Sequence, residues 1–544
     1  MSILRSSLIM ASGTVFSRAL GIIRAILLAA TIGVTTNAAD AFGVANQLPN
    51  NVYAIIAGGV LNAVLVPQIV RARLHLDGGK AYIDRLLTLA IVTFGSITVI
   101  TTVSAPLLVS LYTNGWDSDQ LALATAFAYW CLPQLFFYGL YSLLGEVLNA
   151  KSKFGPYMWA PVLNNIVAII GMVAFIWQFG LDPTGQQTVA EWTQSQIAWL
   201  AGSATVGVAS QALILLLFWK RMGLSFAFNF SWHGVGLGPA MRTASWTLGM
   251  LIVTQIGGIV QTAVASSAID GRAEISSNIA IASVAAMSIA WLIFMLPHSV
   301  ATVSIATAYF TRMSMHAMEK KFDELKTDLV DGLRTISMIS VLATTGLIVL
   351  AYPISRVFVG EIPSAIALGN VVIAMVVGLL PFSYVFMIQR AFYSLEDTKT
   401  PFLFTIVQVG VNIVGSVLVG LFVSNIWLVV ALSLVTSGSI MVQSLLAFVL
   451  FKRKFGSLGH GSLTLATSKF ALAAIVAGLI GFAILQAMGG ARPGAFPVLN
   501  VSAAAVTCLI VGSIIGFVYI ALLKLFKVRE VDTLLGPLLR LLQR

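Results

Sequence analysis

The feature that most constrains the fold is a succession of long apolar segments, each about as long as a bilayer-spanning helix. About 20 apolar residues cross the hydrocarbon core of a membrane. Fourteen segments of the 544-residue chain meet this criterion, and the stretches between them are too short for a soluble domain. The sequence therefore predicts an all-α polytopic membrane protein with 14 transmembrane helices. Their approximate bounds are 7–33, 41–70, 86–111, 121–149, 157–179, 196–219, 243–268, 277–306, 335–355, 365–393, 402–423, 426–451, 466–488 and 498–523.

The distribution of Lys and Arg predicts the orientation of these helices. Cytoplasmic loops carry an excess of both residues. With the N-terminus inside, 26 of the 31 Lys and Arg fall in cytoplasmic segments, and only Arg272, Arg356 and Arg492 fall in outer loops. Both termini are therefore predicted to be cytoplasmic. The net charge of +11 follows from this topology, and the scattered basic residues argue against nucleic-acid binding.

A weak internal repeat predicts how the helices are grouped. The segment "LNAKSKFGPYMWAPVLNNIV" follows the fourth helix, and "FYSLEDTKTPFLFTIVQVGVNIV" follows the tenth. A separation of six helices gives two halves of parallel topology, as in transporters built from two bundles. We therefore expect two six-helix bundles around a central cavity, with two additional C-terminal helices. The expected divisions are 1–221, 222–454, and 455–544 with a cytoplasmic tail, and residues 312–334 are expected to form an amphipathic cytoplasmic connecting helix.

The first apolar segment, "TVFSRALGIIRAILLAATIG", contains Arg18 and Arg24. Each arginine costs about 2.5–3.5 kcal/mol at the centre of a membrane helix. Six residues place them about 9 Å apart along the axis and about 120° apart around it. One interpretation is a structural ion pair, for which Asp40 is the nearest acid. The other is a cationic site for an anion such as phosphate, which guanidinium groups bind in a bidentate fork.

The same helix carries a stripe of small residues at four-residue spacing, which includes Gly13, Ser17 and Gly21. This pattern indicates close packing against a neighbouring helix. In the second segment, Asn46 and Asn50 share one helical face beside Pro49. Their position predicts either a polar substrate or gate site, or hydrogen bonds between helices alone.

The sequence lacks the signatures of an enzyme. The five histidines are scattered, and no phosphate-binding loop, G-x-S-x-G or H-E-x-x-H motif is present. Cys131 and Cys508 lie far apart in apolar segments, which predicts buried thiols and neither a disulfide nor a metal site. A transporter without a cofactor is therefore the prediction.

Four motifs, "FSRALGIIR", "ADAFGVANQLPN", "LNAKSKFGPYMWAPVLNN" and "RAFYSLEDTKTPF", resemble those of the MurJ (MviN) family of lipid II flippases, in the multidrug/oligosaccharidyl-lipid/polysaccharide (MOP) superfamily. The resemblance runs from residue 1 to about 450. It implies that lipid II, the undecaprenyl-pyrophosphate-linked disaccharide-pentapeptide, moves from the inner to the outer leaflet of the bacterial cytoplasmic membrane by alternating access. It also implies that residues 466–523 border a groove for the lipid tail. Arg18 and Arg24 match the family's cavity arginines and Asp40 matches its acid, so the expected substrate-binding set is Ser17, Arg18, Arg24, Asp40, Asn46 and Asn50.

The sequence also departs from the family pattern. Many members carry basic residues and then an acid shortly after "LPN", and an Arg in helix eight. Some members bind sodium in the second bundle; Asn412 is one candidate ligand for such an ion, but Ser416 stands where an acid is expected. Coupling to the membrane potential or to a monovalent ion is therefore left open. The residues at the departing positions here are Val52, Tyr53, Ala54, Gly58, Trp291 and Leu292.

Expected partners are lipid II and membrane lipids, and an association with the cell-wall synthesis machinery is a further expectation. The alternatives are a flippase for another lipid-linked saccharide, an exporter of the same superfamily, and a non-transporting scaffold for wall synthesis. An exporter of cations should carry intramembrane acids rather than arginines, and a scaffold gives buried arginines no role.

Overall fold

The computed structural model describes residues 3–57, 80–150, 154–221, 226–231, 237–274, 279–457 and 460–531. Every regular element in these ranges is helical, which confirms the all-α prediction. Short 3₁₀ turns occupy Val189–Glu191 and Ser267–Glu274, and a π-helical turn occupies His298–Thr302. The α-helices are α1 (Ile3–Ile32), α2 (Asn37–Ile56), α3 (Lys80–Val103), α4 (Ala105–Tyr112), α5 (Ser118–Cys131), α6 (Gln134–Ala150), α7 (Phe154–Phe179), α8 (Gln194–Arg221), α9 (Leu237–Ser266), α10 (Val284–Pro297), α11 (Val303–Met318), α12 (Phe322–Val349), α13 (Ala351–Phe358), α14 (Ile362–Val376), α15 (Leu379–Ser394), α16 (Lys399–Phe422), α17 (Asn425–Phe455), α18 (His460–Ala487), α19 (Phe496–Leu499) and α20 (Val501–Leu525).

The number of membrane-spanning helices is close to the predicted 14 but does not confirm it. The described residues contain 12 helices long and apolar enough to span a membrane, or 13 if the bent pair α14 and α15 forms one span. The difference arises at the second predicted span, 41–70. There α2 ends at Ile56, and residues 58–79, including Gly58, lie outside the described residues.

Breaks within two predicted spans have identifiable causes. Pro133 follows the end of α5 and interrupts the segment 121–149, because proline cannot continue the backbone hydrogen bonding of a helix. Helices α14 and α15 meet at an angle of 41°. At that bend the Ser437 hydroxyl lies 2.8 Å from the Ala374 carbonyl and 3.0 Å from the Met375 carbonyl, so carbonyls freed by the break accept a hydrogen bond.

The expected connecting helix at 312–334 is wrong. Its residues form the end of α11 and the start of α12, with a tight turn between them. Lys320 has φ of 58°, and the amides of Lys320 and Lys321 donate to the carbonyls of Ala317 and His316. This Schellman pattern ends α11. Arg312 then reaches across the turn to Asp328 at 2.6 Å, which ties the two helices together.

The chain divides into two compact units, Met1–Ile269 and Asp270–Arg544. Helix α9 belongs to the first unit, where the Ser266 hydroxyl accepts from the Asn114 amide at 2.8 Å and the Ser266 carbonyl accepts from Trp116 at 3.0 Å. The bundle boundaries expected at residues 221 and 454 stay a prediction.

Close helix packing in the first unit depends on small residues. A Cβ atom on Gly13 would lie 2.8 Å from the Met158 carbonyl oxygen, so α1 and α7 approach each other at their backbones. Gly171 makes a similar close approach to Ser203 on α8. The small-residue stripe on the first helix is therefore a packing surface, at least at Gly13.

In the second unit, α18 and α20 pack against α12 and α13. Their shared core includes Met338, Phe470 and Tyr519, and the Tyr519 hydroxyl donates to the Met338 carbonyl at 2.8 Å. Arg356 on α13 donates to the carbonyls of Val359, Val498 and Leu499 at 2.7, 2.8 and 3.2 Å. The two C-terminal helices are thus integral to this unit.

Candidate functional site

Helix α1 carries Arg18 and Arg24 on one uninterrupted α-helix, so the two side chains leave the axis in different directions. Both are partly buried. Arg24 lies close enough to Tyr138 and Cys131 to interact with them electrostatically. Within the described residues Arg24 makes no hydrogen bond and no ion pair. A partly buried guanidinium in this state has its full set of donors available for an anion.

The structure places the three expected residues of α2 in different environments. Asp40 is fully buried in the first turn of the helix, where a carboxylate interacts favourably with the helix dipole. Asn46 is partly buried, and Asn50 is exposed. Thr36 caps the helix by accepting from the Ala39 amide at 3.1 Å. Arg24 makes no ion pair in the described residues, so the structural ion pair between Arg24 and Asp40 considered in the sequence analysis is not formed.

Ser17 is held by α7 rather than left open. The Asn165 side-chain amide donates to the Ser17 carbonyl at 2.8 Å and lies 3.3 Å from its hydroxyl. Asn165 is 9% exposed, so this contact gives a buried side-chain amide a hydrogen-bond partner. It also holds α1 against α7 at Ser17, the residue directly before Arg18.

The sequence analysis missed Gln134, which contacts Asn46 directly, and Thr205 and Tyr138, which contact Gln134. Gln134, at the start of α6 and 1% exposed, donates to Asn46 Oδ1 at 3.4 Å and to the Thr205 hydroxyl at 3.1 Å. The Tyr138 hydroxyl donates to Gln134 Oε1 at 3.2 Å, and the Cys131 thiol lies 3.9 Å from Asn46 Oδ1. Cys131 lies near Asn46, and Cys131 and Tyr138 both interact electrostatically with Arg24. The signal in the sequence was Gln134 and Tyr138, one helical turn apart in an apolar segment just after Pro133.

Aromatic rings extend this cluster on one side. The rings of Tyr138 and Tyr53 lie 5.5 Å apart, and those of Tyr53 and Phe94 lie 6.3 Å apart. Tyr53 stands at one of the positions where many relatives were expected to carry charge. The structure thus places an aromatic surface beside Arg24's neighbour Tyr138.

The expected ion site around Asn412 lies in the second unit. Asn412 is buried, and its side-chain amide lies 3.4 Å from the Thr436 hydroxyl. Ser416, one turn further along α16, is also buried. In the described ranges no group of three or more His, Cys, Asp or Glu side chains could hold a metal ion. The ion-binding role of Asn412 stays a prediction.

Comparison with known proteins decides the family. A profile described as "Lipid II flippase MurJ" matches residues 28–497. The chain belongs to the MurJ family. Flippases are transporters, so the family agrees with the prediction of a transporter rather than an enzyme, and the many apolar helices make the protein an integral membrane protein.

Named relatives share the family description at modest identity. A probable lipid II flippase MurJ of Vibrio cholerae is 26% identical over 454 residues, which cover 79% of this chain and 80% of the relative. A probable lipid II flippase MurJ of Haemophilus influenzae is 25% identical over 414 residues, which cover 71% and 75%.

Solved structures confirm the fold. The structure of a lipid II flippase MurJ in an inward closed conformation aligns with a TM-score of 0.68 at 19% identity, covering 94% of this chain and 98% of the other. A MOP superfamily transporter from Pyrococcus furiosus aligns with a TM-score of 0.58 at 16% identity, covering 84% of this chain and 96% of the other. At these identities the likeness concerns the fold alone.

Proposed function

We propose that this protein flips lipid II from the inner to the outer leaflet of the bacterial cytoplasmic membrane by alternating access, with both termini in the cytoplasm. The observation that carries the proposal is the match of the lipid II flippase MurJ family to residues 28–497, joined to a partly buried Arg24 that has no ion pair in the described residues. A pyrophosphate linkage is the anion that such a guanidinium would bind.

Arg18 and Arg24 are proposed to contact the pyrophosphate of the substrate. They stand about 9 Å apart along α1, and a pyrophosphate with its attached sugar is an extended anion that two guanidiniums can bind at separate points. Asn46 and Asn50 are proposed to face the same substrate from α2. Ser17 and Asp40 have supporting roles, since Ser17 contacts Asn165 and Asp40 is fully buried.

The membrane potential is the proposed energy source. Moving one negative charge outward from a negative interior is favoured by about 2.3 kcal/mol per 100 mV. Cell-wall synthesis proteins are proposed as partners that receive the flipped precursor.

The test is a leaflet-accessibility assay in cells that depend on this protein. On depletion, lipid II should accumulate in the inner leaflet, out of reach of a membrane-impermeant external probe, and re-expression should restore access. A depleted strain in which lipid II stays accessible outside, with no other flippase present, would rule out the proposed function.

A further inference from the structure

A hydrogen-bond relay in the first unit starts at the break between α5 and α6. Pro133 ends the continuous helix after Cys131, and the last carbonyls of a helix have no partner within it. The Trp130 carbonyl is one of these, and it accepts from the Thr205 hydroxyl of α8 at 2.6 Å. The sequence "WCLPQ" thus both breaks the helix and supplies an acceptor for a neighbouring helix.

The direction of every following hydrogen bond is determined by that carbonyl. A carbonyl can only accept, so the single proton of Thr205 is used on Trp130. Thr205 must then accept from Gln134, which places the NH₂ group of Gln134 on this side at 3.1 Å. The second proton of the same NH₂ group faces Asn46 Oδ1 at 3.4 Å, while Gln134 Oε1 accepts from Tyr138.

Gln134 is 1% exposed and uses both donors and its acceptor in these bonds. Burying an amide without partners would be costly, so the relay is held in one arrangement. Its end point is Asn46, whose Oδ1 faces inward to Gln134 and the Cys131 thiol. In the described residues Asn46 Nδ2 makes no hydrogen bond, and the side chain is only partly buried, so its two N–H groups are available as donors.

We propose that Gln134 is a positioning residue that fixes Asn46 as a hydrogen-bond donor to the anionic headgroup of the substrate. The Cys131 thiol lies 3.9 Å from Asn46 Oδ1 and interacts electrostatically with Arg24, so one anion is proposed to accept from both the guanidinium and the Asn46 amide. Without Gln134 the Asn46 amide could rotate and present its oxygen, which repels an anion. This inference rests on the proposed function and extends it by naming the groups that select for negative charge.

The test is a double-mutant cycle on lipid II binding to the purified full-length protein, measured by native mass spectrometry. The variants are Gln134→Met, Asn46→Leu and the two combined. A hydrogen bond to a charged group is strong, so each single variant should bind about tenfold more weakly. The double variant should bind no more weakly than Asn46→Leu, because Gln134 acts only through Asn46. A packing role for Gln134 would instead make the two losses multiply.

Two further variants test the sign of the interaction and guard against misfolding. Asn46→Asp keeps an acceptor for Gln134 but replaces the donor with a negative oxygen, so its binding should fall more than that of Asn46→Leu. Thr205→Val removes the hydroxyl that accepts from Gln134, and Thr205 is only partly buried. This variant should therefore weaken binding, and it tests the relay if Gln134→Met fails to fold. Ser210→Ala is the matched control on α8. Among the described residues the Ser210 hydroxyl bonds within its own helix, to the Gly207 carbonyl at 2.7 Å, so its loss should leave binding unchanged.

Inorganic pyrophosphate serves as the second probe. It should compete with lipid II for the parent protein and compete less well for Gln134→Met. Parental binding by Gln134→Met and Thr205→Val, or multiplying losses in the double variant, would overturn the relay while leaving the proposed function intact. A parent protein that binds no lipid II would overturn both.

Discussion

Replacing Arg24 by alanine separates a binding arginine from a structural one. Hydrogen bonds to a charged partner contribute about 1.5–3 kcal/mol, which corresponds to roughly 10- to 150-fold in affinity for lipid II. Within the described residues Arg24 has no hydrogen bond or ion pair, so its removal leaves none of the described groups without a partner. Removing the charge from a membrane helix also relieves about 2.5–3.5 kcal/mol of insertion cost. Arg24→Ala should therefore lose affinity and keep or gain thermal stability.

The lysine variant tests the geometry of the contact. Lys retains the charge but lacks the planar fork of donors, so Arg24→Lys should bind between the parent and Arg24→Ala. Binding is measured by co-purified lipid II in native mass spectrometry, and unfolding by the thermal midpoint in detergent. If Arg24→Ala binds lipid II within about twofold of the parent, or unfolds at a clearly lower temperature, then Arg24 is structural and the argument fails.

Arg356 provides the matched control, because its role in the structure is the opposite. It is 8% exposed and donates to three carbonyls. Each buried acceptor left without a donor costs about 1–3 kcal/mol. Arg356→Ala should lower the thermal midpoint, and the folded fraction should bind lipid II as the parent does.

Three other predictions follow from charge. Collapse of the membrane potential with ion gradients held constant should slow flipping, as followed by the leaflet-accessibility assay, and unchanged flipping would remove potential coupling. Cysteines introduced near residues 80, 320 and 455 should be labelled from the cytoplasm and those near 117, 185 and 270 from outside; external labelling near 320 would contradict the topology. In the turn after α15, burial raises the pKa of Asp397, but hydrogen bonds from Lys454 at 2.7 Å and from Thr400 outweigh this and hold the pKa below its usual value. A carboxyl with a lowered pKa stabilises the fold above the unfolded pKa of about 3.9 and loses this effect as the pH falls through the folded value, so Asp397→Asn should lower the thermal midpoint at pH 7 and flatten its fall below about pH 4.

The sequence predicted the helices well because long apolar segments and alternating loop charges are strong, local signals. The turn between α11 and α12 was missed because it depends on a lysine in the left-handed region, Lys320, where glycine would be the recognisable signal. The rest of the second predicted span lies outside the described residues. Features that depend on residues close together in the sequence, such as apolar segments, could therefore be predicted, whereas the conformation of Lys320 could not.

The candidate site follows the same rule. Arg18 and Arg24 stand out because a charge in an apolar segment is rare. Gln134 gives a weak signal, since an uncharged polar residue in a helix has many ordinary roles. Its importance depends on Thr205, which lies 71 residues away in the chain, and on a carbonyl freed by Pro133. Only the folded chain shows that these groups form one relay.

Since the fold is shared with other transporters, the charge and orientation of the polar groups must determine what the site binds. A transporter that is similar in fold is described as having a binding pocket of reverse polarity that suggests a different function, and a shared fold does not determine what a protein binds. In the site proposed for this chain, donors would make that choice: Arg24 carries a permanent positive charge, and the relay from Trp130 through Thr205 and Gln134 orients the neutral Asn46 as a donor. An amide has no intrinsic preference for either ion, and its orientation here comes from a backbone carbonyl that accepts only. In the proposed site, selectivity for negative charge would come from the two arginines together with one oriented neutral group, so that fewer buried charges are needed than in a site made of arginines alone.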